Sequence, residues 1–186
     1  EKGFTFYSKG DADKAEAAAT RRVEVSYSAP YLAHATMEPM NCTAQVKDGA
    51  VEVWVPTQVP GMARAIAAKV AGVDADKVTL HVTLLGGGFG RRLDVDYVAQ
   101  AVRVAMACGG KPVQLVWSRE EDTTHDFYRP MHVANLTAAI DATGAVDSLR
   151  IKSAGDAISP RWMERGLPAL AGPIDMPDKT ASEGLF

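Results

Sequence analysis

The sequence predicts an α+β domain built on a mixed β-sheet with helices packed on one side. Two observations carry this prediction. Segments in which apolar and polar residues alternate, as in half-buried strands, are interspersed with segments whose apolar residues recur at helical spacing. Their order along the chain is a hairpin, a helix, a strand, a loop, a second helix, a strand and a second hairpin, which favours helices gathered on one face of a sheet.

The first predicted elements are a short helix and a strand. Asp11 is a suitable N-cap for a helix that runs through an alanine-rich segment to Ala19. Val23, Val25 and Tyr27 then alternate with polar residues, and this alternation predicts a half-buried strand.

A hairpin and a helix follow. Residues 43–46 and 51–55 flank Lys47-Asp48-Gly49, a turn sequence that favours a hairpin. After Pro56-Thr57-Gln58, apolar residues recur at helical spacing, and Gly72 lies where a C-terminal cap is expected. Thr57 is placed to cap this helix at its start.

The remaining predicted elements are separated by glycine and proline residues. The mixed-charge segment 119–130 is interpreted as a solvated surface connection, because exposed ion pairs of this kind contribute little to stability. The elements are a strand over Val78–Leu85, a helix from about Asp94 to Ala107, a strand over Val113–Trp117, and a hairpin of residues 132–140 and 145–153.

Composition argues against several classes of protein. The net charge of −3 over 186 residues argues against nucleic acid as the main partner, because phosphate binding needs a basic face. No apolar stretch approaches the ~18–20 residues of a membrane span. The two cysteines, Cys42 and Cys108, are too few for an iron–sulfur cluster or a structural zinc site. Buried free thiols are expected, with a disulfide or a reactive thiol as the alternative.

The segment from Gly86 to Arg92 concentrates four glycines within five positions, between a predicted strand and a predicted helix. It is not a Walker loop, since no Lys-Ser/Thr pair closes it, and the dinucleotide pattern would require glycine at Arg91. Two interpretations stay open. One is a tight strand-to-helix connection, and the other is a binding site where a ligand approaches the backbone and Phe89 is presented beside it.

A few polar side chains are further candidates. Gln58 carries a carboxamide that can donate and accept at once, but for this residue taken alone surface solvation is favoured over a site role. Glu38 is a possible general base, but a hydrogen-bonded anchor of its loop is favoured. His34 lacks a second histidine at ligand spacing, which argues against zinc. The adjacent His125 and Asp126 come without a nucleophile motif, so hydrolase chemistry is not indicated.

Taken in order, the motifs resemble a known family. They are H-A-T-M-E-P ending at Pro39, W-V-P-T-Q ending at Gln58, G-G-G-F-G-R-R over 86–92, and later S-R-E-E-D with Y-R-P. This set, with Gln58 and Phe89 31 residues apart, resembles the large subunit of molybdenum hydroxylases of the xanthine oxidase and aldehyde oxidoreductase family. The Arg-Arg ending is most similar to the bacterial isoquinoline 1-oxidoreductase β-subunit branch.

The resemblance implies a domain organisation. It covers about residues 20–155, so 21–155 is expected to be the first part of a molybdopterin-binding domain. Residues 1–20 are expected to be the tail of a preceding small domain. Residues 156–186 are expected to be an irregular, truncated segment of a larger fold.

The resemblance also implies cofactor-binding residues. In the family, the glutamine matching Gln58 hydrogen-bonds an oxygen ligand of the molybdenum centre, and the Phe-Gly backbone lies against the pterin and metal on the opposite side. Arg91 departs from the family's common glycine, and a contact with the pyrophosphate or pterin is expected of it. Glu38 is expected to be structural. The implied cofactor-binding set is Gln58, Gly87, Gly88, Phe89, Gly90 and Arg91, with no metal ligand from this chain.

The activity implied by the resemblance is hydroxylation of N-heterocycles or oxidation of aldehydes with water-derived oxygen. The implied cofactor is molybdenum with molybdopterin cytosine dinucleotide. The implied partners are a small subunit with [2Fe–2S] clusters, the remainder of the large subunit, and a small heterocyclic or aldehyde substrate. The family's catalytic glutamate has no match here, so this chain alone is expected to be inactive and without cofactor. Localisation stays open between bacterial periplasm and cytoplasm.

Two other functions compete with this one. The chain is a candidate non-catalytic assembly module that docks an iron–sulfur subunit, an idea supported by the apolar, proline-broken tail from Ile158 to Phe186. A nucleotide-phosphate binder that uses the glycine segment is less favoured, because no lysine is placed to serve the phosphates.

Overall fold

The computed structural model describes residues 7, 9–159 and 161–163. The chain divides into two compact units, one formed by residues 1–31 and 130–156 and the other by residues 32–129 and 157–186. In chain order the elements are α1 (Ala12–Ala18), β1 (Arg21–Ala29), β2 (Asn41–Lys47), β3 (Ala50–Val55), α2 (Pro60–Ala71), β4 (Val78–Val82), α3 (Asp96–Met106), β5 (Val113–Val116), α4 (Arg119–Thr124), β6 (His132–Ile140) and β7 (Val146–Gly155).

The unit built around residues 32–129 contains a four-stranded mixed sheet in the order β4-β3-β2-β5. β3 and β4 are parallel because helix α2 carries the chain back between them, and the other pairs are antiparallel. The apolar stripes of α2 and α3 pack with the sheet residues in one core. Its fully buried side chains include Met40, Cys42, Val53, Val55, Tyr97, Val98 and Val102.

The other unit contains a three-stranded antiparallel sheet in the order β1-β6-β7. One face carries apolar residues in register, since Val25 is opposite Leu136, which is opposite Ile151. The other face is mostly polar, with Glu24 opposite Thr137 and Thr137 opposite Arg150. Helix α1 is linked to β7 by ion pairs from Arg150 to Asp13 and Glu16.

These features confirm the predicted fold class and most of the predicted elements. Asp11 caps α1 by accepting a hydrogen bond from the Lys14 amide at 3.0 Å, and Gly72 ends α2 in the left-handed conformation. The strands form two separate sheets rather than one. Since β1 pairs with β6 across more than a hundred residues, no local pattern in the sequence indicates that pairing.

Two predicted boundaries also differ. The strand predicted to run to Leu85 ends at Val82, and both Leu84 and Leu85 are exposed. The helix predicted from about Asp94 begins at Asp96, preceded by a short 3₁₀ turn over residues 91–93. The glycine segment is therefore longer and more irregular than the sequence suggests.

The interpretation of residues 119–130 as a solvated connection is wrong. Residues 119–124 form α4, capped by Ser118, whose hydroxyl accepts a hydrogen bond from the Glu121 amide at 3.1 Å. Asp122 is buried, and its carboxylate accepts hydrogen bonds from the Met40 amide and the Arg119 guanidinium. The segment thus secures the loop before β2.

Both cysteines are free, and Cys42 is buried as expected. Burial raises the pKa of the Cys42 thiol to about 12, so it stays protonated. Cys108 is half-buried.

Among the described residues, no helix combines the length and the apolar character needed to cross a membrane. The expected irregular segment 156–186 lies largely outside the described residues, and the expected boundary at residue 20 stays a prediction.

Candidate functional site

The glycine segment leaves β4 and reaches α3 with several residues in the left-handed region. Gly87, Phe89 and Gly90 have φ angles of 99°, 54° and 106°. Phe89 is the residue without glycine's freedom, and its side chain is 70% exposed. A bulky residue in this conformation is uncommon, and strain of this kind is concentrated at functional sites.

Two of the glycines are required by close neighbours. A Cβ atom at Gly88 would lie 2.6 Å from the Gln58 side-chain oxygen, and one at Gly86 would lie 2.4 Å from the Glu38 Cβ. Both distances are shorter than a side chain tolerates. The glycines therefore allow the segment to lie directly against Gln58 and Glu38. In the sequence, Gln58 is 30 residues before Gly88, and Glu38 is 48 residues before Gly86.

Gln58 is held in one orientation by the backbone of the glycine segment. Its Oε1 accepts hydrogen bonds from the amides of Gly90 and Arg92, each at 3.2 Å. The backbone N–H of Gln58 donates to the Arg92 carbonyl at 3.2 Å. With Oε1 occupied by two donors, Nε2 is the end of the carboxamide left to face solvent, and within the described residues it makes no hydrogen bond. Gln58 is thus exposed, as surface solvation predicts, but its carboxamide is held in one orientation by the glycine segment.

Thr57 does not cap α2, whose N-cap is Val59. Its hydroxyl accepts a hydrogen bond from the Val59 amide at 3.1 Å and donates to the Arg92 carbonyl at 3.3 Å. The reason is that Pro60 begins the helix two residues later than the sequence suggests. Thr57 instead joins the end of β3 to the far side of the glycine segment.

Arg92 is fully buried, and its guanidinium reaches three segments of the chain. Nε donates to the Gly87 carbonyl at 2.7 Å, and Nη1 donates to the Pro56 carbonyl at 3.2 Å. Nη2 donates to both the carbonyl and the carboxylate of Glu38, at 2.8 and 2.9 Å. No sequence signal other than its place after the glycines indicates this role.

Glu38 is an anchor of its loop, as favoured from the sequence. Its carboxylate accepts hydrogen bonds from the Gly86 amide at 2.9 Å, from Asn41 at 2.8 Å and from Arg92. Its own amide donates to the Gly86 carbonyl at 3.0 Å. These contacts engage both carboxylate oxygens in holding the loop against the glycine segment.

Arg91 is also buried, but it points into a different environment. Its guanidinium donates two hydrogen bonds to Asp96, at 2.9 and 3.0 Å, and its carbon lies 5.4 and 5.0 Å from the ring centroids of Trp117 and Phe127. Burial alone would lower the pKa of Arg91. The hydrogen bonds and charge of Asp96 and the charge of Asp126 outweigh burial and raise the pKa above its ordinary value, so Arg91 stays charged. Its predicted contact with a cofactor stays a prediction.

A histidine–carboxylate pair adjoins Arg91. Asp126 accepts hydrogen bonds from the amide of His34 and from its Nδ1, the latter at 2.8 Å, and lies 3.4 Å from Arg91 Nε. Burial raises the pKa of Asp126, but the hydrogen bonds from His34 and the charge of Arg91 outweigh it and lower the pKa. His125, the sequence neighbour of Asp126, pairs with Glu121 instead.

The arrangement as a whole offers a hydrogen-bond donor and an approachable backbone, and no set of side-chain metal ligands among the described residues. Within the part of the chain that the structure describes, no group of three or more His, Cys, Asp or Glu side chains is placed to hold a metal. The site offers a carboxamide donor in Gln58, a glycine backbone that permits close approach, and the exposed ring of Phe89.

Comparison with known proteins finds a domain family and several relatives that the chain resembles. Residues 1–175 match the model of the molybdopterin cofactor-binding domain. The chain is 36% identical to isoquinoline 1-oxidoreductase subunit beta of Brevundimonas diminuta, over 72% of this chain and 17% of that protein. It is 31% identical to a protein of Gluconacetobacter polyoxogenes named membrane-bound aldehyde dehydrogenase [pyrroloquinoline-quinone], over 89% of this chain and 22% of that protein.

A solved structure has the same fold. The aldehyde oxidoreductase of Desulfovibrio gigas superposes with a TM-score of 0.60 at 21% identity, covering 80% of this chain and 16% of that one. The chain therefore spans about a fifth of the length of the relatives it matches. On the extent of the family match, the chain belongs to the molybdopterin cofactor-binding domain family.

Proposed function

We propose that Gln58 and the backbone of Gly87–Gly90 form one wall of the molybdopterin site in an oxidoreductase that hydroxylates N-heterocycles or oxidises aldehydes with water-derived oxygen. We call these residues the cofactor wall. The observation that carries the proposal is the orientation of Gln58. Two backbone donors occupy its oxygen, so its Nε2 is presented as a fixed hydrogen-bond donor beside the glycines.

The residues of the wall suit a molybdopterin. When bound, this cofactor supplies the metal centre for two-electron oxidation of the substrate. Gln58 would donate from Nε2 to an acceptor oxygen of the bound group, and a donor fixed in advance needs no reorganisation. Gly87, Gly88 and Gly90 would let the group approach the main chain, and Phe89 would offer it an apolar surface. Arg91, whose buried guanidinium is bonded to Asp96, would secure the end of the segment.

The finer parts of the proposal follow the names of the relatives. Similarity to an isoquinoline 1-oxidoreductase subunit and to a nicotinate dehydrogenase subunit supports an N-heterocyclic substrate. Similarity to an aldehyde oxidoreductase subunit supports an aldehyde substrate. The dinucleotide form of the cofactor, with cytosine, and an iron–sulfur partner subunit are proposed with them. The proposal does not include pyrroloquinoline quinone, which is named only for the Gluconacetobacter polyoxogenes relative. A purely structural assembly module is not favoured, since the relatives are named as oxidoreductases.

Replacing Gln58 tests the proposal in the complete protein that carries this chain. In Gln58→Ala, we expect turnover to fall about a hundredfold, as when one fixed donor is removed from an active site, while the protein stays folded with a slightly lower melting temperature. Gln45→Ala is the matched control, because Gln45 donates to the Gly110 carbonyl at 2.7 Å and is not part of the cofactor wall. Turnover, molybdenum content and melting temperature are measured for all three proteins.

Two results would count against the proposal. Wild-type protein purified from a host that makes molybdopterin, yet lacking molybdenum, would contradict the function. Wild-type turnover in Gln58→Ala would remove Gln58 from the site.

A further inference from the structure

Arg92 is bonded to the proposed cofactor wall through its main chain as well as its side chain. Its amide donates to Gln58 Oε1, and its carbonyl accepts from the Gln58 amide and the Thr57 hydroxyl. Its guanidinium donates to Gly87 and Pro56. One residue therefore touches both sides of the wall, the Gln58 side and the glycine side.

Glu38 completes this connection from a third segment. Its Oε2 lies 2.9 Å from Arg92 Nη2 and also accepts the Gly86 amide at 2.9 Å. The carboxylate thus joins the guanidinium to the start of the glycine segment. The side chain of Arg92 is 0% exposed and that of Glu38 is 33% exposed. Water therefore reaches the Glu38 carboxylate but not the Arg92 guanidinium.

Burial makes this geometry demanding. A buried guanidinium is stable only when its donors are matched, so the carbonyls of Gly87, Pro56 and Glu38 have to converge on one group. That convergence sets the distance between the glycine segment and Gln58. It also keeps the Arg92 amide in line with Gln58 Oε1, which decides the direction in which Nε2 points.

We infer that Arg92 is a positioning residue of the cofactor site. With Glu38 it fixes the glycine segment against Gln58, so that Gln58 Nε2 and the Gly87–Gly90 backbone face the bound molybdopterin together. The inference rests on the proposed function and adds to it the residue that orients the wall. Arg92 itself does not touch the cofactor in this scheme.

A lysine at this position separates charge from geometry. Arg92→Lys keeps the positive charge beside Glu38, but a compact ammonium on a flexible stem cannot bond all the acceptors that the planar guanidinium reaches. Glu38→Gln keeps the size of its partner and removes the negative charge. Val53→Ala, in the buried core of β3 away from the glycine segment, is the control for lost stability alone.

The experiment uses the complete protein loaded with molybdenum and measures the rate at which molybdenum and pterin are released, the melting temperature and the Mo(V) EPR spectrum. We expect Arg92→Lys to release the cofactor about tenfold faster, the scale seen when an outer-shell partner of a metal site is lost. Its EPR spectrum should change, whereas Val53→Ala should lower the melting temperature with an unchanged spectrum. Glu38→Gln should follow Arg92→Lys.

A double variant tests whether Arg92 acts through Gln58. In Arg92→Lys combined with Gln58→Ala, release should be slower than the product of the two single effects, because the part of the Arg92 effect that acts through the carboxamide is already lost and only the part that acts through the glycine backbone remains. Independent, multiplying effects would overturn the inference. So would an Arg92→Lys protein that matches Val53→Ala in release rate and spectrum.

These outcomes are distinct from failure of the proposed function. Wild-type protein without molybdenum contradicts the function and the inference together. A loaded wild type in which Gln58→Ala reduces turnover but Arg92→Lys has no effect on release or spectrum contradicts the inference alone. If Arg92→Lys does not fold, Glu38→Gln decides the question, since Arg92 is then intact and only the charge of its partner has changed.

Discussion

Arg91 and Arg92 are neighbours in the chain and both are buried, yet they are stabilised in different ways. Arg91 is bound by side chains, with Asp96 and Asp126 as its carboxylates and two aromatic rings close to its guanidinium. Arg92 is bound mainly by carbonyls of the main chain. The same residue type therefore joins side chains around α3 in one case and the backbone of the candidate site in the other.

The difference has a physical consequence. Side-chain partners can turn towards water when the arginine is lost, and Asp96, with its side chain 28% exposed, is close to doing so. Main-chain carbonyls have no such freedom, because moving them moves the segment that carries them. Loss of Arg92 should therefore alter the glycine segment, while loss of Arg91 should alter the surroundings of α3.

The largest expected effect is that of Arg92→Met. The variant removes the side-chain donor of the Gly87 carbonyl and one of several donors to the Pro56 carbonyl and to Glu38. Removing one partner of a buried pair costs about 3–5 kcal/mol. We expect the local opening free energy of the amides of residues 86–92 to fall by roughly the lower of these values, because Glu38 is partly exposed. Hydrogen exchange of those amides measures it.

Arg91→Met should cost less and act elsewhere. It removes the two hydrogen bonds to Asp96, the ion pair with Asp126 and the ring contacts. We expect a loss of about 2 kcal/mol at the start of α3, since a hydrogen bond to a charged group contributes about 1.5–3 kcal/mol. Exchange should quicken in the first turn of α3 and around Phe127, with the 86–90 amides changed far less than in Arg92→Met. Equal acceleration of the 86–90 amides in both variants would contradict the comparison.

The sequence predicted the parts of the site that depend on local pattern. The hairpin turn, the stripe of Tyr97, Val98 and Ala101 on α3 and the glycine segment are each visible within a dozen residues. The 31-residue spacing between Gln58 and Phe89 carried the resemblance to molybdenum hydroxylases, and the family match confirms it.

The parts that were missed depend on distant pairs or on an overlooked cap. Arg92 and Glu38 are 54 residues apart, and His34 and Asp126 are 92 apart, so nothing local indicates either contact. Helix α4 was missed because its charges suggested a surface. Its start does carry a signal, Ser118 followed three residues later by Glu121, which is the pattern of a capping box.

A pH effect should distinguish the Arg91 surroundings from the Arg92 surroundings. The pKa of Asp126 in the folded protein is lowered from its ordinary value of 3.8, so its stabilising contribution is complete above that value and is lost as the pH falls through the lower, folded pKa. The difference in melting temperature between wild type and Asp126→Asn should therefore be constant near neutral pH and shrink below about pH 4. A difference that stays constant down to pH 2 would show that Asp126 is not held as an anion by His34 and Arg91.

The smallest expected effect isolates the aromatic part of the Arg91 surroundings. Phe127→Leu keeps an apolar side chain but removes the ring 5.0 Å from the guanidinium, for a loss of about 1 kcal/mol, the scale of a partly desolvated cation–π contact. Phe127→Tyr, which keeps the ring, is the control. Trp117 is less suitable, because its indole also donates to Gln100 at 2.9 Å. Hydrogen exchange at the start of α3 should quicken in Phe127→Leu only, and the 86–90 amides should stay at their wild-type rates, since the backbone partners of Arg92 are untouched.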